Sequence, residues 1–203
     1  MGKLSRKTGL LGAGLAVLIL GAVIAGQALI HTEERSLFPS LAKSEFSLLS
    51  HEGTAITNAD LVGRPTAIYF GFTWCPDICP TTLSQLADAK ASLIADNVPQ
   101  AEQLQIVFFT VDPERDTVHQ LSEYLTLFDA DITGITGPVA DIMAAVSRFG
   151  VFAQKVPTSD EDYQVDHSAS VYLYDRKGQF IGTISPAEPA EMGLAKLERL
   201  VTR

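Results

Sequence analysis

Two cysteines, Cys75 and Cys79, constrain this chain more than any other feature, and they are the only cysteines in its 203 residues. They stand in Cys75-Pro-Asp-Ile-Cys-Pro80, which follows an apolar, β-prone run, Thr66-Ala-Ile-Tyr-Phe-Gly-Phe72. Beyond them, Pro80 to about Ile94 places Leu83, Leu86, Ala87 and Leu93 at helical spacing. Strand, cysteine loop, helix is the expected order. A bridge closing so short a loop would restrict the unfolded chain little, so the pair is no structural staple. A redox or metal role accounts for it better. With Cys79 at the helix N-cap and Pro80 at the first helical position, both sulfurs lie near the positive end of the helix dipole, which favours thiolate over thiol. Thiolate is both nucleophile and soft-metal ligand, so Cys-x-x-x-Cys alone leaves the two roles open.

The first thirty residues differ from the rest. Leu10 to Ile30 carries no charge, and about 20 residues at ~1.5 Å each cross a ~30 Å hydrocarbon core. Lys3, Arg6 and Lys7 precede this run and Glu33 and Glu34 follow it, an asymmetry that keeps the N-terminus cytoplasmic and exports the body to the extracytoplasmic, periplasmic side. A cleavable signal peptide is the competing reading, although the run exceeds the usual apolar core of roughly 7–15 residues. The expected organisation is a cytoplasmic N-terminus at 1–9, a transmembrane anchor at 10–30, a polar tether at 31–44 and one globular domain at 45–203. Of 15 basic and 24 acidic residues, only Lys3, Arg6 and Lys7 precede His31, leaving 12 against 24 in the body. Such an acidic body repels nucleic acid and anionic lipid and is better suited to collecting cations.

Within the body, Phe46–Leu49 and Thr54–Thr57 flank a Gly-containing turn, the pattern of a hairpin. Leu104–Val111 reads as a buried strand, and Thr117-Val-His-Gln120 resembles a capping box that opens a helix through Phe128. A short strand at Ile132–Thr136 and a helix from Pro138 through Phe149 follow. Val151–Val156 is β-prone; then come a polar loop, a hairpin of Ser170–Tyr174 with Phe180–Ile184, and a terminal helix from about Glu188. The expected fold is α/β and thioredoxin-like: a mixed sheet with flanking helices and an N-terminal β-hairpin extension, preceded by one transmembrane helix.

His167, in Val165-Asp-His-Ser168, separates the two roles of the cysteines. In a thioredoxin-type sheet the turn entering the last hairpin lies beside the first strand-to-helix loop, so this imidazole can reach the sulfurs. Two thiolates and one imidazole form a soft three-coordinate set suited to copper, Cu(I) or Cu(II), while structural zinc wants four protein ligands. The plainer reading of His167 is a loop or cap histidine. Asp112, before Pro113, could orient His167, add a weak ligand or bind a partner; a turn-initiating Asp is the plainer reading. Trp74 is expected to pack over the site. His31, His51 and His119 show no ligand spacing, and Asp160-Glu-Asp162 reads as a solvated loop.

Three segments in this order, Gly71-Phe-Thr-Trp-Cys-Pro-Asp-Ile-Cys-Pro80, Val111-Asp-Pro-Glu-Arg-Asp-Thr117 and Asp162-Tyr-Gln-Val-Asp-His-Ser168, make the chain resemble the Sco/SenC family of copper proteins. These are thioredoxin-fold assembly factors for the CuA centre of cytochrome c oxidase. The resemblance implies copper ligation by Cys75, Cys79 and His167 and an auxiliary role near the metal for Asp112. It implies delivery to the copper-binding subunit of cytochrome c oxidase, with a thioredoxin-like reductant and a second copper chaperone as further partners. Trp74 departs from the family, many members having His before the first Cys. The alternatives are a membrane-anchored thiol-disulfide oxidoreductase using Cys75 and Cys79, which reduces the cysteines of the copper-receiving subunit, and a peroxide or redox sensor.

Overall fold

Two six-residue strands without an exposed residue, β3 (Thr66–Gly71) and β4 (Gln105–Thr110), pair in parallel at the centre of the molecule. Being covered on both faces, they read as continuous apolar runs rather than alternating ones. The computed structural model describes residues 38–158 and 162–203, so the expected membrane span at 10–30 lies outside the described residues. Among the described residues no helix is long and apolar enough to cross a membrane.

The sheet grows outward from that central pair. On one side β5 (Ile132–Thr136) runs parallel to β4, and the hairpin of β1 (Ser47–Ser50) and β2 (Ala55–Thr57) joins antiparallel to it, as the expected N-terminal extension. On the other side β8 (Val171–Tyr174) pairs antiparallel with β3, followed by β9 (Phe180–Ile184). The order is β2-β1-β5-β4-β3-β8-β9. Four helices flank the sheet: α1 (Ile78–Ala95), α2 (Val118–Leu125), α3 (Val139–Arg148) and α4 (Ala190–Val201). Thr117 caps α2 by accepting the Gln120 N–H at 3.2 Å, which removes one orphan donor of the first turn. Phe70 centres the core, with the rings of Phe109, Phe149 and Tyr172 at 5.2, 5.3 and 5.4 Å.

Two segments differ from expectation. Phe38–Ser44, read as tether, is packed on the body: Leu41 is fully buried and its N–H donates to the Gly178 carbonyl at 2.8 Å, while Phe38 lies 4.7 Å from the Phe180 ring. Two apolar residues in a polar stretch suffice to dock it. The polar loop before the last hairpin contains a strand, β7 (Tyr163–His167), which pairs antiparallel with β6 (Ala153–Pro157) as a separate two-stranded ribbon. Its side chains show no clean alternation of burial, so the strand owes its existence to the β6 partner.

Gly71 ends β3 where the chain must pass close to other groups. A Cβ there would meet Phe108 Cε2 at 2.7 Å, Cys79 Sγ at 3.0 Å and Tyr69 Cε1 at 3.1 Å. Gly71→Ala is expected to lower unfolding free energy by about 1–3 kcal/mol in urea denaturation; unchanged stability would show that sulfur and rings yield freely.

Candidate metal centre

One carboxylate gathers the ends of the central strands. Asp116, fully buried, accepts hydrogen bonds from the Thr73 N–H at 3.1 Å, the Thr73 hydroxyl at 2.7 Å and the Thr110 hydroxyl at 2.6 Å. Its backbone carbonyl accepts from the Thr136 hydroxyl at 2.6 Å. Burial raises the pKa of this carboxyl, and the threonine bonds work against that rise. The cysteine loop, which leaves Thr73, therefore starts from a pinned position.

The N-cap of α1 is Asp77, so Cys79 is the second helical residue and Pro80 the third, a correction to the expected Cys79 cap. Pro80 is tolerated there because its missing N–H falls among the first four that have no intrahelical acceptor. The Asp77 side chain makes no cap bond. Instead the Cys79 N–H points at Cys75 Sγ, 3.4 Å away, so a sulfur does the capping. The Cys75 thiol is pulled down to about 5, first by a hydrogen bond from the Cys79 thiol, with burial opposing and the Cys79 and Asp77 N–H groups and His167 assisting. Cys79, fully buried, goes the other way: donating to Cys75 and losing solvent both hold it as the thiol. Without metal the pair therefore stands as one thiolate and one thiol, joined by the hydrogen bond from Cys79 to Cys75. The Tyr69 hydroxyl adds a contact to Cys79 Sγ at 3.5 Å.

His167 ends β7, paired with Ala153, and is half-buried. Its Nδ1 lies 3.1 Å from the Ser168 carbonyl. A carbonyl only accepts, so Nδ1 donates to it and Nε2 is the ring nitrogen left facing the sulfurs. That Nε2 is 3.9 Å from Cys79 Sγ. Phe72 meets the imidazole at 5.8 Å with an interplanar angle of 87°, and Tyr69 at 6.3 Å. Among the described residues no group of three His, Cys, Asp or Glu side chains is already closed into a metal-holding cluster.

Asp112 is fully buried and spends its carboxylate on Arg115, through Nε, and on the Tyr163 hydroxyl at 2.8 Å. It supports the strand that bears His167. Trp74 does not pack over the site; it is 59% exposed and borders a groove of about 430 Å³ that Cys75, Pro76, Tyr124 and Leu127 also line. A second, more apolar groove between α1 and α4 holds none of the sulfur or imidazole donors. His51 accepts the Gly134 N–H at 3.1 Å, and His119 faces Glu123, both apart from the cysteines; His31 lies outside the described residues. Tyr69, Arg115 and Tyr163 were not singled out by sequence. Tyr69 sits inside an apolar strand whose pattern signals only core, and the other two lie within motifs whose roles depend on contacts distant in the chain.

Residues 34–202 match the family model SCO1/SenC. The bovine mitochondrial SCO2 homolog is 39% identical over 153 residues, which cover 75% of this chain and 57% of that protein. The human SCO2 homolog is 36% identical over 188 residues, covering 91% and 70%. Thus the chain spans little more than half the length of the bovine relative. Among solved structures, copper-bound ScoI of Bradyrhizobium japonicum aligns with a TM-score of 0.69 at 38% identity, over 77% of this chain and 97% of that one. The mixed sheet, the paired sulfurs facing an imidazole and the match across nearly the whole described body have one common account: the chain belongs to the SCO1/SenC family.

Proposed function

We propose that this protein is a copper chaperone that holds one copper ion with Cys75, Cys79 and His167 and passes it to the CuA site of cytochrome c oxidase. The observation that carries the reading is Nε2 of His167 set 3.9 Å from Cys79 Sγ, with Nδ1 turned to the Ser168 carbonyl. With metal bonds of ~2.3 Å to sulfur and ~2.0 Å to nitrogen, a three-coordinate ion opens a sulfur–nitrogen separation of about 3.8 Å. The donors therefore fit a soft ion, and one thiolate is in place before loading. Copper is bound in ScoI of Bradyrhizobium japonicum and in yeast Sco1, 38% and 35% identical to this chain. Delivery to the oxidase subunit follows from the family resemblance of the three motifs, and the apolar run 10–30 would hold the domain at a membrane, outside the cytoplasm. Cys75 borders the open groove while Cys79 is fully enclosed. An incoming ligand therefore meets Cys75 first, and transfer by ligand exchange is open from that side.

A second reading has its own observation, the unequal cysteines. A thiolate beside a groove attacks a partner disulfide, the buried thiol then displaces the partner, and the partner leaves as a dithiol while Cys75 and Cys79 become a disulfide. Such a reductase needs no His167.

Anaerobic copper loading followed by X-ray absorption is expected to show one copper per chain with two sulfurs and one nitrogen, and His167→Ala to weaken retention by more than roughly 100-fold. Full retention by the variant would overturn the ligand set. Disulfide reductase turnover unaffected by His167→Ala in a protein that holds no copper would establish the second reading. In the metal-free protein Cys75 is half-ionised at about pH 5, nearly all thiolate from roughly one pH unit above that and nearly all thiol from roughly one unit below. Iodoacetamide should accordingly label Cys75 from pH 6 upward and leave Cys79 unmodified at neutral pH, as peptide mass spectrometry would show; equal labelling would disprove the asymmetry.

A further inference from the structure

The ribbon of β6 and β7 pairs with no strand of the main sheet. Sheet hydrogen bonds therefore do not fix where His167 stands, and other contacts must. Beside the ribbon lies a pocket of about 170 Å³, lined by Val111, Met143, Ala153 and Val165 together with Glu114 and Lys155. There Lys155 pairs with Glu114, but both are well exposed and water screens the pair.

Arg115 is different, because it touches both halves of the centre. Its Nη1 donates to the carbonyl of Tyr163, on the strand that bears His167, at 3.0 Å and to Asp162, just before that strand, at 3.3 Å. Its guanidinium carbon lies 3.8 Å from the centre of the Tyr163 ring, and 5.6 and 5.8 Å from those of Trp74 and Phe72, on the cysteine loop. Nε is bound to the buried Asp112, which the Tyr163 hydroxyl also reaches. Nη2 is buried with no acceptor among the described residues; the three aromatic rings surround the guanidinium instead. A planar cation among aromatic rings, with one nitrogen on a backbone carbonyl and another on a buried carboxylate, is an arrangement lysine does not reproduce.

Resting on the copper reading above, we propose that Arg115 is the positioning residue that holds the His167 ribbon against the cysteine loop. With it, the imidazole stays at the sulfurs; without it, the ribbon moves away from the cysteine loop and the centre is left with two cysteines alone. Arg115→Lys is the discriminating change, since it keeps a positive charge for Asp112 and removes the fork and the plane.

The test compares the purified full chain with Arg115→Lys, first metal-free. Proton NMR is expected to show nuclear Overhauser contacts between the His167 and Phe72 rings in the wild type, reduced severalfold in Arg115→Lys, while Phe70–Phe109 contacts persist. After Cu(II) loading, pulsed EPR should show imidazole nitrogen coupling in the wild type, with the variant losing at least half of it. Retention of both signals by the variant would reduce Arg115 to a counter-ion of Asp112 and overturn the proposal. If core contacts are lost as well, Arg115→Gln, which keeps a neutral donor for Asp112 but no guanidinium, decides: an undiminished His167–Phe72 contact there overturns the proposal, and a weakened one upholds it. A wild type that binds no copper would defeat the copper reading, while the metal-free comparison would still decide the positioning role.

Discussion

The carboxylate of Asp116 is the interaction on which the upper end of this molecule depends. Three hydrogen bonds reach it from Thr73 and Thr110, and its own carbonyl holds Thr136, so the ends of β3, β4 and β5 converge on one residue. Each buried polar group left without its partner would cost about 1–3 kcal/mol. That penalty makes the convergence close to all-or-none. The cysteine loop, the Asp112 turn and the end of β5 are consequently placed relative to one another before any ligand arrives.

From this platform the chemistry of the sulfurs follows. Cys75 Sγ stands where a side-chain oxygen usually caps a helix, and the N–H of Cys79 points at it. A sulfur that caps is stabilised as an anion, and the thiol that donates to it is held protonated. Metal binding and disulfide exchange therefore draw on one arrangement. What separates them is whether an imidazole completes the set, and that depends on a ribbon outside the main sheet. Aromatic rings and one guanidinium, rather than backbone hydrogen bonds, join that ribbon to the loop.

Much of the fold is legible along the chain because its signals are local. The apolar runs of β3 and β4, the helical spacing of Leu83, Leu86 and Leu93, the Thr117 cap and the two hairpins each declare themselves within a dozen residues. Strand β7 does not, since its residues acquire strand geometry only by pairing with β6. The docking of Phe38 and Leu41 escapes for a similar reason: the rings and carbonyls they meet lie more than a hundred residues away.

For the candidate site, the sequence by itself determined which side chains could do the chemistry. Only two cysteines exist, they share one strand-to-helix loop, and His167 stands in a motif that matches a copper family. Tertiary structure alone decided how they differ. It buried Cys79 and bordered Cys75 with a groove, assigned the shared proton, turned Asp112 toward Arg115 and Tyr163, and left Trp74 exposed. The physical reason is that residue type sets what a group can donate or accept, whereas proton position, burial and orientation are set by neighbours that the chain brings together only on folding.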